Sequence, residues 1–150
     1  MAYFEDFIAC SEHLIEKKYT FKKGIALMGG SAGGLVVGTC INERPDLYRA
    51  AGAFVPFVDI LNDMLDENLP IVAGYYSEVG NPREEKYYQY IKSYSPYDNI
   101  KAQEYPHLYV TAGLKDVQVP YWSPLKWVAR LREMKTDNNF ILLDVQMNEG

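Results

Sequence analysis

The chain has 150 residues, 15 of them basic and 20 acidic, for a net charge of -5, and it carries no lysine and arginine cluster that would track phosphates, so nucleic-acid binding is not expected. Thirteen tyrosines and two tryptophans suit one packed domain and exclude a disordered segment. The opening MAYFEDFIACSEHLIEKK has acidic residues inside it and no basic stretch before an apolar core, and no apolar run reaches the roughly 20 residues of a membrane span. A signal peptide and a membrane partner are therefore not expected, and a cytoplasmic location is.

Phe4, Phe7, Ile8, Leu14 and Ile15 recur near helical spacing and predict a first amphipathic helix closing at KKYTFKKG. GIALMGG (24–30) reads as a short buried strand, and AGGLVVGTCINERPDL (32–47) as a helix stopped near Pro45. AAGAFVPFVD (50–59) is too short for a typical helix and rich in Val and Phe, so it predicts a second strand with Pro56 marking its end. Residues 60–105 are full of breaker chemistry (ENLP, GNP, YSPYDN), with one short tyrosine-rich helix around REEKYYQYIKSY. YPHLYVTAG (105–113) predicts a third strand, LKWVARLREMK (125–135) an amphipathic helix and NFILLDVQM (139–147) a fourth strand. Strands alternating with helices predict an α/β fold, a mostly parallel sheet flanked by helices on both faces. Cys10 and Cys40 lie in apolar helical patterns and are expected as buried free thiols; no metal or cofactor is expected.

Chemistry concentrates in GGSAGG. Gly29-Gly30-Ser31-Ala32-Gly33 fits G-x-S-x-G, with a strand before it and a helix after it, which is the context that motif requires. Such a turn holds the serine in a strained backbone conformation, so the flanking Gly29 and Gly33 must approach without a Cβ. Ser31 would then present its hydroxyl at the carboxyl end of the strand, and the backbone N–H of Ala32, at a helix N-terminus, would form half of an oxyanion hole. A glycine-rich turn without chemistry is the alternative. In this arrangement a triad runs serine, acid, histidine along the chain. Asp116, in GLKDVQVP after the third strand, is placed to be the acid on the same sheet edge as Ser31. A histidine should follow the fourth strand, and none does; His13 and His107 fall in the wrong order.

GGSAGG, NERPDLYRA, VPFVDILNDMLDENLP, EVGNP, KSYSPYDNI, YPHLYVTAGLKDVQVPYW and KWVARLRE together resemble the catalytic domain of the oligopeptidase B group within the prolyl oligopeptidase family of serine peptidases. The resemblance covers nearly the whole chain. It implies an α/β-hydrolase domain, capped in the family by a β-propeller that admits short peptides, with cleavage after Lys or Arg. It also implies roles: Ser31 as nucleophile, Asp116 as triad acid, Ala32 as one backbone oxyanion donor. The family's second oxyanion donor is a tyrosine upstream of anything here, and its triad histidine lies in a loop soon after the last strand, so MNEG looks like the residues just before it. The chain then reads as one partial domain, 1–150, lacking N-terminal strands, propeller and the histidine-bearing segment. Two positions depart from the family: Tyr75 stands where an acidic residue is usual, although Glu78 remains, and Gln118 stands where many relatives carry arginine. An S1 pocket for a cationic side chain needs a carboxylate, which makes Glu78, Tyr75 and Gln118 the candidate substrate-binding positions. Three functions stay open: a serine oligopeptidase portion acting on short peptides, an inactive remnant that at most binds, and an esterase on the same fold. A partial sheet is also expected to leave an exposed edge prone to self-association.

Overall fold

The computed structural model describes residues 2–150. Helix α1 (Ala2–Glu16) precedes strand β1 (Ile25–Gly30), helix α2 (Ala32–Glu43), a 3-10 turn (Pro45–Leu47) and strand β2 (Tyr48–Phe54). Three short helices follow, α3 (Ile60–Leu65), α4 (Val72–Val79) and α5 (Glu85–Lys92), then β3 (His107–Gly113), α6 (Trp122–Met134) and β4 (Ile141–Gln146). The four strands are parallel and lie in chain order, β1-β2-β3-β4.

Registers explain which side chains are buried. Leu27 pairs with Ala51, Ala51 with Leu108 and Leu108 with Ile141, so these four share one face of the sheet. All four are buried, with Val37 and Ile41 of α2 and Trp127, Val128 and Leu131 of α6 packed in the same cluster. Removing one such side chain down to Ala costs about 2–5 kcal/mol. The opposite face carries the next register, Met28, Gly52, Tyr109 and Leu142. Met28, Tyr109 and Leu142 are exposed, so helices cover one face of the sheet and not both as expected.

Helix α2 stops at Glu43, two residues before Pro45. A residue preceding proline is pushed out of helical geometry, and Arg44 sits at φ -136 with its N–H donating to Cys40 O. The rest of the predicted 32–47 helix is the 3-10 turn. Strand β2 ends at Phe54, just short of the Pro56 expected to mark its end, because Val55 takes φ 41. Its N–H nevertheless finds Thr111 O of β3 at 3.1 Å. Helices α3 and α4 occupy a stretch read only as turns. Both cysteines are free, but Cys10 is exposed; Cys40 is fully buried, which pushes its thiol up to about 11. Among the described residues no helix is long and apolar enough to cross a membrane.

Candidate active site

Strand β1 ends in two glycines, the backbone reverses at Ser31, and α2 begins at Ala32. Ser31 sits at φ 52 and ψ -120, a region that disfavours any residue with a Cβ and costs about 1–3 kcal/mol. Surrounding bonds hold it there. Its N–H donates to Phe54 O at 2.9 Å, and its carbonyl accepts from Gly34 N at 2.9 Å and from Phe57 N at 3.1 Å. The turn is thus tied to the end of β2 and to the loop beyond it.

A Cβ on Gly29 would lie 2.3 Å from Gly33 O, and one on Gly34 would lie 2.3 Å from Pro56 Cβ. Gly29 is required, as expected from the motif. Gly33 is not required on its own account, since a Cβ there meets nothing within 4 Å; the second close approach belongs to Gly34. The half-buried Ser31 hydroxyl makes no hydrogen bond among the described residues, and neither does the exposed N–H of Ala32. A free hydroxyl beside an unpaired donor at a helix start is what a nucleophile and its oxyanion need.

Because the strands are parallel, β3 ends on the same edge. Asp116 lies three residues past Gly113 and is half-buried; its Oδ1 accepts the N–H groups of Gln118 at 2.8 Å and Val119 at 3.0 Å. That leaves Oδ2 free to take another donor. Lys115 N–H donates to Glu149 O at 3.1 Å, and a Cβ on Gly150 would come within 2.4 Å of Asp116 N. Residues 149–150 therefore run alongside the acid.

Neither histidine reaches this edge. His13 is exposed on α1. His107 opens β3 opposite Ala50, four residues before the Phe54 that pairs with Gly30, so it stands roughly 15–20 Å away along the strands. Its Nδ1 accepts Phe140 N–H at 3.1 Å.

Beside Ala32 opens a cavity of about 340 Å³, walled by Leu35, Tyr75, Tyr90 and Tyr94, with Glu78 supplying a carboxylate. Tyr75 is fixed there by an edge-on contact with Phe57, ring centres 5.5 Å apart. Gln118 does not line this cavity; its contribution to the site is the backbone N–H to Asp116.

Sequence reading passed over a buried polar cluster behind these loops. Asp59, wholly buried, takes an ion pair from Lys126 and a hydrogen bond from Asn62 at 2.6 Å. Asp63, 2 % exposed, holds the Ser123 hydroxyl 2.6 and 2.8 Å from its two oxygens. Burial pushes the Asp63 carboxyl up to about 7; the Ser123 bond opposes the rise and the Asp59 charge adds to it. In the sequence, VDILND shows only two acids four apart, which reads equally well as a solvated helix face. Among the described residues no group of three or more His, Cys, Asp or Glu could hold a metal ion.

A sequence model of the prolyl oligopeptidase family matches residues 2–150. The chain belongs to this family. Prolyl oligopeptidase relatives include Protease 2 of Moraxella lacunata, 48% identical over 98% of this chain and 21% of that protein. Dipeptidyl aminopeptidase BI of Pseudoxanthomonas mexicana is 45% identical over 98% of this chain and 20% of its own length. The structure of oligopeptidase B from Leishmania major superposes with a TM-score of 0.96 at 52% identity, covering 98% of this chain and 20% of that one. The chain thus spans about one fifth of the length of the relatives it matches, and its four parallel strands and flanking helices are those of an α/β-hydrolase domain.

Proposed function

We propose that residues 1–150 supply the nucleophile, one oxyanion donor and the acid of a serine peptidase acting on short peptides. The observation that carries this reading is the Ser31 turn. A non-glycine residue at positive φ, its hydroxyl and the N–H beside it unbonded among the described residues, stands on the same sheet edge as Asp116. Ser31 Oγ attacks the scissile carbonyl, the oxyanion that forms is received by Ala32 N–H, and Asp116 Oδ2 orients the base. That base is neither His13 nor His107, so this reading has it come from outside residues 1–150, and the isolated chain does not turn over substrate.

The cavity beside Ala32 supports a finer proposal, cleavage after Lys or Arg. Tyrosine walls take the aliphatic stem and face of such a side chain, and Glu78 pairs the cation. The relatives named above are a protease, a dipeptidyl aminopeptidase and an oligopeptidase, which favours a peptide over an ester substrate.

The test is a chimera in which residues 1–150 replace the matching segment of the Moraxella lacunata protein. It should hydrolyse short peptide amides, lose about a million-fold in kcat with Ser31→Ala, and lose roughly 10–100-fold for Arg over Leu at the cleaved position with Glu78→Gln. A folded chimera that is inert, or one whose activity survives Ser31→Ala, would overturn the assignment. The 150-residue chain alone should show no fluorophosphonate labelling above its Ser31→Ala control.

A further inference from the structure

Both halves of the site are fastened to α3. On one side, the loop leading into α3 gives Phe57 N–H to the Ser31 carbonyl. On the other, the loop between β3 and α6 returns to α3 twice. Val119, 4% exposed, is buried in a cluster with Phe57, Ile60, Leu61 and Met64. Four residues later Ser123, in the first turn of α6, bonds Asp63 near the end of α3. Asp116 Oδ1 accepts the N–H of that same Val119, so the orientation of the acid follows wherever the 119–123 segment is pinned.

We propose that Asp63 is a positioning residue whose bond to Ser123 holds the start of α6 on α3 and thereby sets Asp116 relative to Ser31, with the proton state of Asp63 altering that hold. The proposal rests on the reading of Asp116 as the acid. The charged carboxylate accepts the Ser123 hydroxyl in a charge-assisted bond, and protonation replaces it by a weaker neutral one. Burial first, and then the groups facing Asp63, make this titration accessible near neutrality. Lys126, from the next turn of α6, is committed to Asp59, whose own charge, with that of Asp66 past the end of α3, disfavours ionising Asp63. Lys126 favours the Asp63 carboxylate through its charge alone, its ion pair going to Asp59, and burial raises both carboxyls.

The 150-residue chain labelled with carboxyl 13C aspartate, titrated by NMR from pH 5 to 9, tests this. The Asp63 carboxyl should titrate with a midpoint of about 7, and the amide resonances of Gln118, Val119 and Ser123 should move with the same midpoint. Asp63→Asn should abolish that amide transition while leaving the remaining amide pattern in place. Ser123→Ala, which removes a donor that favours the carboxylate, should move the midpoint upward, and it serves as the second variant if the Asn protein does not fold. Amides that stay flat while Asp63 titrates, a transition that survives Asp63→Asn, or a midpoint unmoved by Ser123→Ala would overturn the proposal. Every readout is a chemical shift and needs no turnover, so its failure is distinct from failure of the nucleophile reading, which the chimera decides.

Discussion

Replacing Ser31 by glycine should remove the proposed nucleophile and stabilise the chain. At φ 52 and ψ -120 the Cβ is the source of strain, worth about 1–3 kcal/mol. Among the described residues the hydroxyl makes no bond that would be lost. Glycine relieves the strain but releases more backbone freedom on unfolding, a penalty of roughly 0.5–1 kcal/mol relative to alanine. The difference leaves about 1 kcal/mol in favour of glycine over Ser31→Ala, which keeps the Cβ and hence the strain. For a domain of this size that is a Tm higher by about 2–4 °C. Thermal and urea unfolding of the two variants side by side isolates the Cβ, because neither has a hydroxyl. At an unstrained position the alanine variant would win. A Ser31→Gly protein no more stable than Ser31→Ala would show that the turn stores no strain, and the structural case for a nucleophile would weaken with it.

Gly29→Ala and Gly33→Ala should differ in sign. The first drives a Cβ to 2.3 Å from backbone and should cost about 1–3 kcal/mol or more; the second enters open space in the first turn of α2 and should gain up to about 1 kcal/mol of helix propensity. Chemical denaturation of both checks this, and equal destabilisation would refute it. The raised Asp63 carboxyl makes folding stability pH-dependent. Its contribution is fully present below the unfolded value near 4 and is lost as pH rises to about 7, so Asp63→Asn should gain on wild type between pH 4 and 8 by on the order of 4 kcal/mol; parallel stability curves for the two proteins would contradict this. On the open sheet face, Met28, Tyr109 and Leu142 are exposed together, and the isolated chain is predicted to self-associate through them. Leu142→Lys should lower the sedimenting mass at equal concentration, and a wild-type chain that is already monomeric would remove the prediction.

What was legible in the sequence was local. The strand, turn and helix around Ser31 follow from a few adjacent residues, and the placement of Asp116 follows from one strand and its loop. Gly33 and Gly34 show the limit: a motif cannot say which glycine meets Pro56, because that contact spans two elements. Val55 ended β2 early through backbone geometry that no side-chain pattern encodes; its β-branched side chain reads as strand. Helices α3 and α4 are six and eight residues long, too short for a periodic pattern, and Gly74 interrupts the second. Asp63 and Ser123 are sixty residues apart, so nothing local marks them as a pair.

The strand order β1-β2-β3-β4 has a kinetic consequence. Each strand pairs with its predecessor in the chain, so the sheet can grow in the direction of synthesis. The steps are unequal. Residues 31–47 close β1 on β2, whereas residues 55–106, about three times as many, must be gathered before β3 can dock. Loop entropy makes that second closure costlier by about 1 kcal/mol, and the longer sequence separation slows it further. The half of the sheet bearing Ser31 should therefore form first. The strained turn would wait, incompletely buttressed, until the strand that delivers Asp116 and the bond from Val55 to Thr111 arrives to complete the edge.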